Sequence, residues 1–222
     1  FYNCASLSEL DATMLKTSNV TNMRSMFALC SGLTKLDVSP FDTYYVTEMS
    51  GMFSGCTNVV SIDVSGFKTG NVKSMQSMFD GCAAVQGLDL KYFDTASVTD
   101  MRYMFRDCSS LSDLDISSFK TTNVTNMAFM FSGCSNLSYL DVTSFDTSAV
   151  TSMIGMFERM PALKSLNLKS FVIKAGCSTD RMIDGTTGKL VEIITPEIQG
   201  KVTIAIEGPT YGEWLNGNGE KV

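Results

Sequence analysis

The chain has 222 residues, a formal charge of −6 and no histidine, with 44% hydrophobic and 18% charged residues. This composition supports a folded core, contains no apolar run near the ~18 residues of a membrane span, and argues against a basic nucleic-acid footprint. The absence of histidine excludes Ser-His-Asp and Cys-His catalytic pairs and histidine-containing zinc sites.

A 26-residue repeat organises the chain from Phe1 to about Phe171 and accounts for its many Met, Phe and Cys residues. A valine column runs from Val20 to Val150, and two phenylalanine columns keep the same spacing without any insertion. We count six units after an opening partial one. The cysteine column consists of Cys4, Cys30, Cys56, Cys82, Cys108 and Cys134.

Each unit predicts a short helix followed by a short strand. In residues 46–71 the first apolar side chains follow the spacing of one helix face, and Gly55 lies where a helix C-cap is expected. Ile62-Asp63-Val64 alternates like a strand, with Asp63 facing outward. The Leu-x-x-Leu-x-Leu spacing is typical of leucine-rich repeats.

The predicted fold is therefore an α/β solenoid, a leucine-rich-repeat-like right-handed horseshoe. Short parallel strands lie on its concave side and short helices on its convex side, because stacked strands are ~4.8 Å apart while packed helices need ~8–10 Å. We assign residues 1–182 to this solenoid.

Past Met182 the repeat pattern stops. Residues 190–194 and 201–206 have the composition of strands, and Pro196 and Gly200 lie between them. We expect residues 183–222 to form a small β-hairpin cap over the open end of the solenoid. The alternative is the start of a following β domain.

The motifs Val-Thr-x-Met-x-x-Met-Phe-x-Gly-Cys and Leu-Asp-Val-Ser-x-Phe-Asp-Thr recur over residues 1–175. They resemble the repeats of the BspA-like leucine-rich-repeat surface proteins of bacteria. The resemblance implies a secreted or cell-wall-attached protein, of a family commonly called adhesins, and it supplies no catalytic residues. We expect a signal peptide and an anchor outside this fragment, since Phe1 begins in the middle of a unit.

An aspartate column is the main candidate site, since its members face outward from the predicted strands. Local hydrogen bonds, a ligand-facing acidic stripe and a calcium site are alternative explanations for so many like charges. Candidate concave-face ligand contacts are Asp37, Asp63, Asp89, Asp115 and Asp141, with Tyr92 and Tyr139. A second column, from Lys16 to Asp146, alternates in sign, as stacked units would favour.

The cysteine column is interpreted as a ladder of buried free thiols rather than disulfides or a metal site, and we predict no metal and no cofactor. We expect a non-enzymatic cell-surface binding module, an adhesin whose partner is a protein or a host-surface ligand. It would bind no nucleic acid and would not insert directly into a membrane. The alternative function is a structural spacer that presents another domain away from the cell surface.

Overall fold

A computed structural model describes residues 1–186 and, beyond them, the strand segments 192–194, 197–198 and 214–215. We call each 26-residue unit a coil. The strands are short: β1 Gly87–Leu88, β2 Asp113–Leu114, β3 Ser165–Asn167, β4 Val172–Ile173, β5 Glu192–Ile194, β6 Glu197–Ile198 and β7 Trp214–Leu215.

Successive coils stack in parallel register along two ladders. One ladder of isolated parallel bridges runs through every coil from Asn22 to Ser178, with partners 26 residues apart. The other joins Leu36 to Ile62 and β1 to β2. We call the coil segment around the first ladder (residues 21–30 and their equivalents) the turn side, and the segment around the second (residues 34–39 and their equivalents) the strand side.

The described residues contain no helix, so the prediction of short helices is wrong there. On the turn side, alternate N–H groups donate to the following coil, as Gly51 N does to Gln76 O at 2.7 Å. The N–H groups between them donate three residues back, as Met52 N does to Met49 O at 3.1 Å. Since half of the donors bond between coils, the i→i−4 ladder of a helix cannot form.

Two positions of each turn side take left-handed backbone conformations, with φ between 52° and 76° in the coils from Ser25 to Gly185. We call the set that begins at Ser25 and includes Ser77, Tyr103 and Phe129 the first left-handed column. The second begins at Asn3, continues at Leu29 and includes Gly55, so the sequence located a left-handed residue correctly but placed it in the wrong element. A bulky residue in this conformation costs about 1–2 kcal/mol.

The core lies between the two sides and consists of the repeated Phe, Met, Val, Leu and Cys columns. Rings of one phenylalanine column stack almost parallel from coil to coil, for example Phe79 on Phe105 at 5.8 Å and 3°. A buried threonine column supports the corners: Thr95 Oγ1 donates to Lys120 O at 2.9 Å and accepts from Lys120 N at 2.7 Å. Both sides are thus joined at hydrogen-bond spacing. The described residues contain no helices that would hold one side of the stack wider than the other. Curvature therefore no longer follows from helix width, and the horseshoe stays a prediction.

The repeat continues beyond the predicted boundary at residue 182. Phe157 N donates to Met182 O at 2.7 Å, and Arg159 N donates to Asp184 O at 2.7 Å. Thr186 occupies the position of the cysteine column, and its hydroxyl donates to Phe157 O at 3.3 Å. The coil geometry therefore extends at least to residue 186.

The C-terminal strand segments pair in parallel. β5 lies between β3 and β7, and β6 pairs with β4. The described part of 190–194 thus has parallel neighbours on both edges, and the hairpin with 201–206 stays a prediction. Residues 201–206 themselves lie outside the described residues, as does most of the predicted cap.

Candidate functional site

The aspartate column lies exposed on the strand side, one carboxylate per coil. In Asp37 and Asp141, Oδ1 accepts two bonds from the residue two positions on, one from its backbone N–H and one from its hydroxyl. For Asp141 the donors belong to Thr143, at 2.9 and 2.6 Å. Asp63 makes the same pair of bonds with Ser65, whereas Asp89 and Asp115 accept a backbone N–H. Local hydrogen bonding, one of the three explanations considered for the column, is therefore present.

These local bonds favour the charged carboxylates. The hydroxyl of Ser39 and then its N–H lower the pKa of Asp37. Ser117, whose N–H donates to Asp115 at 3.0 Å, lowers the pKa of that carboxyl. The hydroxyl and N–H of Thr143 lower the pKa of Asp141. In Asp37, Asp115 and Asp141 the charged carboxylate is thus favoured, and Oδ2 lies outside these bonds and faces solvent.

Tyr92 and Tyr139 are both exposed, at 65% and 67%, but the fold does not place them in one column. They lie two coils apart and at positions that differ by five residues within the coil. Lys91 Nζ lies 5.5 Å from the centroid of the Tyr92 ring. Tyr139 lies two residues before Asp141 on the strand side and so belongs with the aspartate column, whereas Tyr92 lies at the following corner.

The column of alternating charge is weakly paired. Among the described residues only Lys120 and Asp94 of this column approach within ion-pair distance, at 3.7 Å between Nζ and Oδ1, and both side chains are more than half exposed. Such a pair contributes about 0–1 kcal/mol. The alternation follows the register of the coils and gives no binding geometry.

The seven cysteines are free thiols. In the core of the stack each thiol donates to the carbonyl of a phenylalanine 29 residues earlier, for example Cys108 Sγ to Phe79 O at 3.1 Å. Burial raises the pKa of Cys56 and of Cys134 to about 12. The neutral thiol is therefore favoured, and these residues are packing groups rather than nucleophiles.

The turn side holds a cluster that the sequence analysis missed. Arg106 makes two bonds of 2.8 Å to the buried carboxylate of Asp80, and its guanidinium lies 4.5 Å from the ring centroid of Tyr103. The Tyr103 ring stacks on Phe129 at 5.3 Å. Burial raises the pKa of Asp80, with Arg106 acting in the opposite direction. None of these residue types is kept at the same position in the adjacent coils, except that two aromatic rings follow each other at Tyr103 and Phe129. The only signal for them was departure from the repeat, which the sequence analysis did not use.

A second ion pair of this cluster spans two coils. Arg159 Nη2 lies 2.9 Å from Asp107 Oδ1, although these residues are 52 positions apart. Gly133 lies between them, and a Cβ there would come within contact distance of the Asp107 carboxylate. Glycine at this position therefore permits both a φ of 76° and the ion pair.

Within the described part of the chain, no group of three or more Cys, Asp or Glu side chains is arranged to hold a metal ion. The same part has no helix long and apolar enough to cross a membrane.

Comparison with protein families gives one match. The model described as "Mycoplasma protein of unknown function, DUF285" matches residues 1–87 and again residues 81–193. Two successive matches of one model indicate a repeat protein. Neither the comparison with curated proteins nor that with solved structures gives a match.

Proposed function

We propose that this chain, which belongs to the DUF285 family, is a non-enzymatic binding module displayed on a cell surface, an adhesin for a protein or host-surface ligand. The resemblance to BspA-like leucine-rich repeats supports the surface location and a horseshoe-like solenoid. The family description itself assigns no activity.

The observation that carries the proposal is the contrast between core and surface positions across the coils. The buried columns keep the same residue type, as from Phe27 to Phe157. An exposed strand-side column changes at nearly every step: Lys35, Ser61, Gly87, Asp113, Tyr139 and Ser165. A constant frame with a varied outer face is how repeat proteins build binding surfaces.

The strand-side face combines this variation with fixed charge. The carboxylate column provides one negative group about every 4.8 Å, and the exposed Tyr139 adds the aromatic side chain that binding hot spots favour. These features suit a partner with complementary basic groups, and the ligand would bind along the column.

Binding to an array of matrix proteins and glycans tests this proposal. The full chain should bind at least one partner, and a variant with Asp89→Asn, Asp115→Asn and Tyr139→Ser should lose most of that binding. Lys73→Gln, an exposed turn-side change of one charge, serves as the control and should bind normally. Absence of any partner, or equal binding by both variants, would contradict the proposal.

A structural spacer is the second candidate, because each Asp Oδ1 of the column is already used locally and the coils are nearly equivalent. Removing one internal coil should then shorten the molecule by about 4.8 Å without changing what the neighbouring domain binds. Small-angle scattering combined with a binding assay distinguishes this outcome from a module whose own face binds.

A further inference from the structure

An open cleft of about 260 Å³ lies on the turn side of the first coils. Ser25, Gly51 and Ser77, which belong to the first left-handed column, line it together with Arg24 and Gln76. The cleft lies on a different face from the aspartate column, and no residue of the proposed strand-side surface lines it.

The cleft exists because this column holds small residues in these coils. In later coils the same column carries Tyr103 and Phe129, whose stacked rings cover the turn side. The backbone conformation is the same at both places, since φ is 56° at Ser77 and 60° at Tyr103. The opening is thus a difference in side chains on a constant frame, not a break in the fold.

The cleft provides an unpaired cation. Arg24 has no carboxylate within 4.0 Å in the part of the chain that the structure describes, whereas each of the other four arginines has one. None of the residues that line the cleft is acidic, although the chain carries a net charge of −6. A free guanidinium in a cleft without acids is suited to bind a carboxylate through two parallel bonds.

Neutral donors surround this cation. Arg102 Nη2 donates to Gln76 Oε1 at 2.9 Å, and since arginine can only donate, this bond orients the Gln76 amide. The Gln76 amide nitrogen is then the group left for a ligand. The hydroxyls of Ser25 and Ser77 make no hydrogen bond to any other described residue, so they also remain free to bond.

We propose that this cleft binds the carboxylate-bearing sugar unit of an acidic glycan. The carboxylate would pair with Arg24, the sugar hydroxyls would bond Ser25, Ser77 and the Gln76 amide, and the exposed Tyr2 ring would contact the apolar face of the sugar. The volume lies below the ~300 Å³ at which drug-sized pockets begin, which suits a single sugar ring. An acidic peptide side chain would use Arg24 but leave the hydroxyls and the amide without partners.

This assignment rests on the proposed binding function and adds to it a second, acidic ligand class on a different face of the molecule. Saturation-transfer NMR with the full chain and two sugar acids, N-acetylneuraminic acid and glucuronic acid, gives the direct test. Galactose is the neutral comparison, and a short glutamate peptide represents the acidic-peptide alternative. We expect at least one sugar acid to bind with a Kd of about 1–10 mM and about tenfold more tightly than galactose or the peptide.

Two variants locate the binding. Arg24→Gln removes the cation, and Ser77→Tyr fills the cleft with a side chain that the column already accepts at Tyr103. Each should weaken sugar-acid binding by about tenfold or more, while the charge-matched control Lys169→Gln should not change it.

Three results would overturn the assignment: no binding of either sugar acid, tighter binding of galactose or the glutamate peptide, or binding unaffected by both cleft variants. The cleft variants should leave strand-side partner binding on the array intact. If the unmodified chain binds the array but neither sugar acid, the cleft assignment alone is refuted. If the unmodified chain binds nothing on the array, the general function is refuted.

Discussion

The threonine column offers the sharpest test of how neighbouring coils are held together. Thr95 is fully buried, and its hydroxyl bonds both backbone groups of Lys120 in the next coil, donating at 2.9 Å and accepting at 2.7 Å. Thr95→Val keeps the shape of the side chain but removes both bonds. We expect it to destabilise the protein, because Lys120 N–H and C=O would lose their partner.

The magnitude follows from these two groups. A buried backbone group left unpaired costs about 1–3 kcal/mol, and since Lys120 itself is exposed, the low end applies to each group, which gives about 2 kcal/mol in total. Thr99→Val in the same coil is the matched control. Thr99 is exposed and donates to Lys73 O at 3.2 Å, but that carbonyl also accepts from Thr99 N at 2.9 Å. Its loss should cost less than about 0.5 kcal/mol.

Urea unfolding followed by circular dichroism gives both values from the shift in midpoint at constant slope. If Thr95→Val is as stable as Thr99→Val, the reasoning is refuted, and the corner bonds do not hold the coils together. A changed slope in either variant would show that the stack no longer unfolds as one unit.

Three further predictions concern other columns. Gly133→Ala should destabilise by about 1 kcal/mol or more beyond Gly81→Ala, because both have positive φ but only the Cβ at 133 meets a carboxylate; equal unfolding midpoints would contradict this. Ellman's reagent should count seven thiols in denaturant, while the five fully buried ones stay unreactive in the native protein; fewer than seven would indicate disulfides. The hydroxyl of Ser39 and then its N–H donate to Asp37 and lower its pKa, so the stability they give is present above the unfolded pKa and is lost as pH falls through the folded pKa. Ser39→Ala, which removes the hydroxyl, should therefore raise the Asp37 pKa in an NMR titration, and an unchanged value would refute this cause.

The 26-residue periodicity of the sequence correctly predicted the features that recur from coil to coil. The register of the coils, the outward aspartates and the free buried thiols all follow from columns spaced 26 residues apart, since each column has a single environment. The aspartate hydrogen bonds were also foreseeable, because a Ser or Thr two positions after an Asp is a local signal.

The helix prediction was wrong because side-chain spacing does not show where backbone donors bond. Met49, Met52 and Phe53 are all buried in a run of successive turns, as they would be on a helix face. The partner of Phe53 N distinguishes a helix from this run of turns. In a helix it would bond within its own coil, but here it donates to Met78 O of the next coil at 2.9 Å. That choice depends on a neighbouring coil, which pattern analysis of one unit does not include.

The turn-side cluster and the cleft could not be predicted from columns, because each depends on residues that occur once. Arg106 meets Asp80 because they share a column one coil apart. Arg24 has no such neighbour, since Ser50 follows it in the column. Both the cluster and the cleft could have been found by comparing the individual residues along each column instead of using only the consensus residue.

The backbone bonds between coils also determine how the molecule would respond to tension. On the turn side they all point along the stack, from Met23 N to Glu48 O in the first coils to Arg159 N to Asp184 O in the last. A pull along that axis loads the bonds of each junction together, whereas a sideways pull at one corner would open them one after another. An attachment protein of this design would resist detachment best when its tether and its ligand lie in line with the stack.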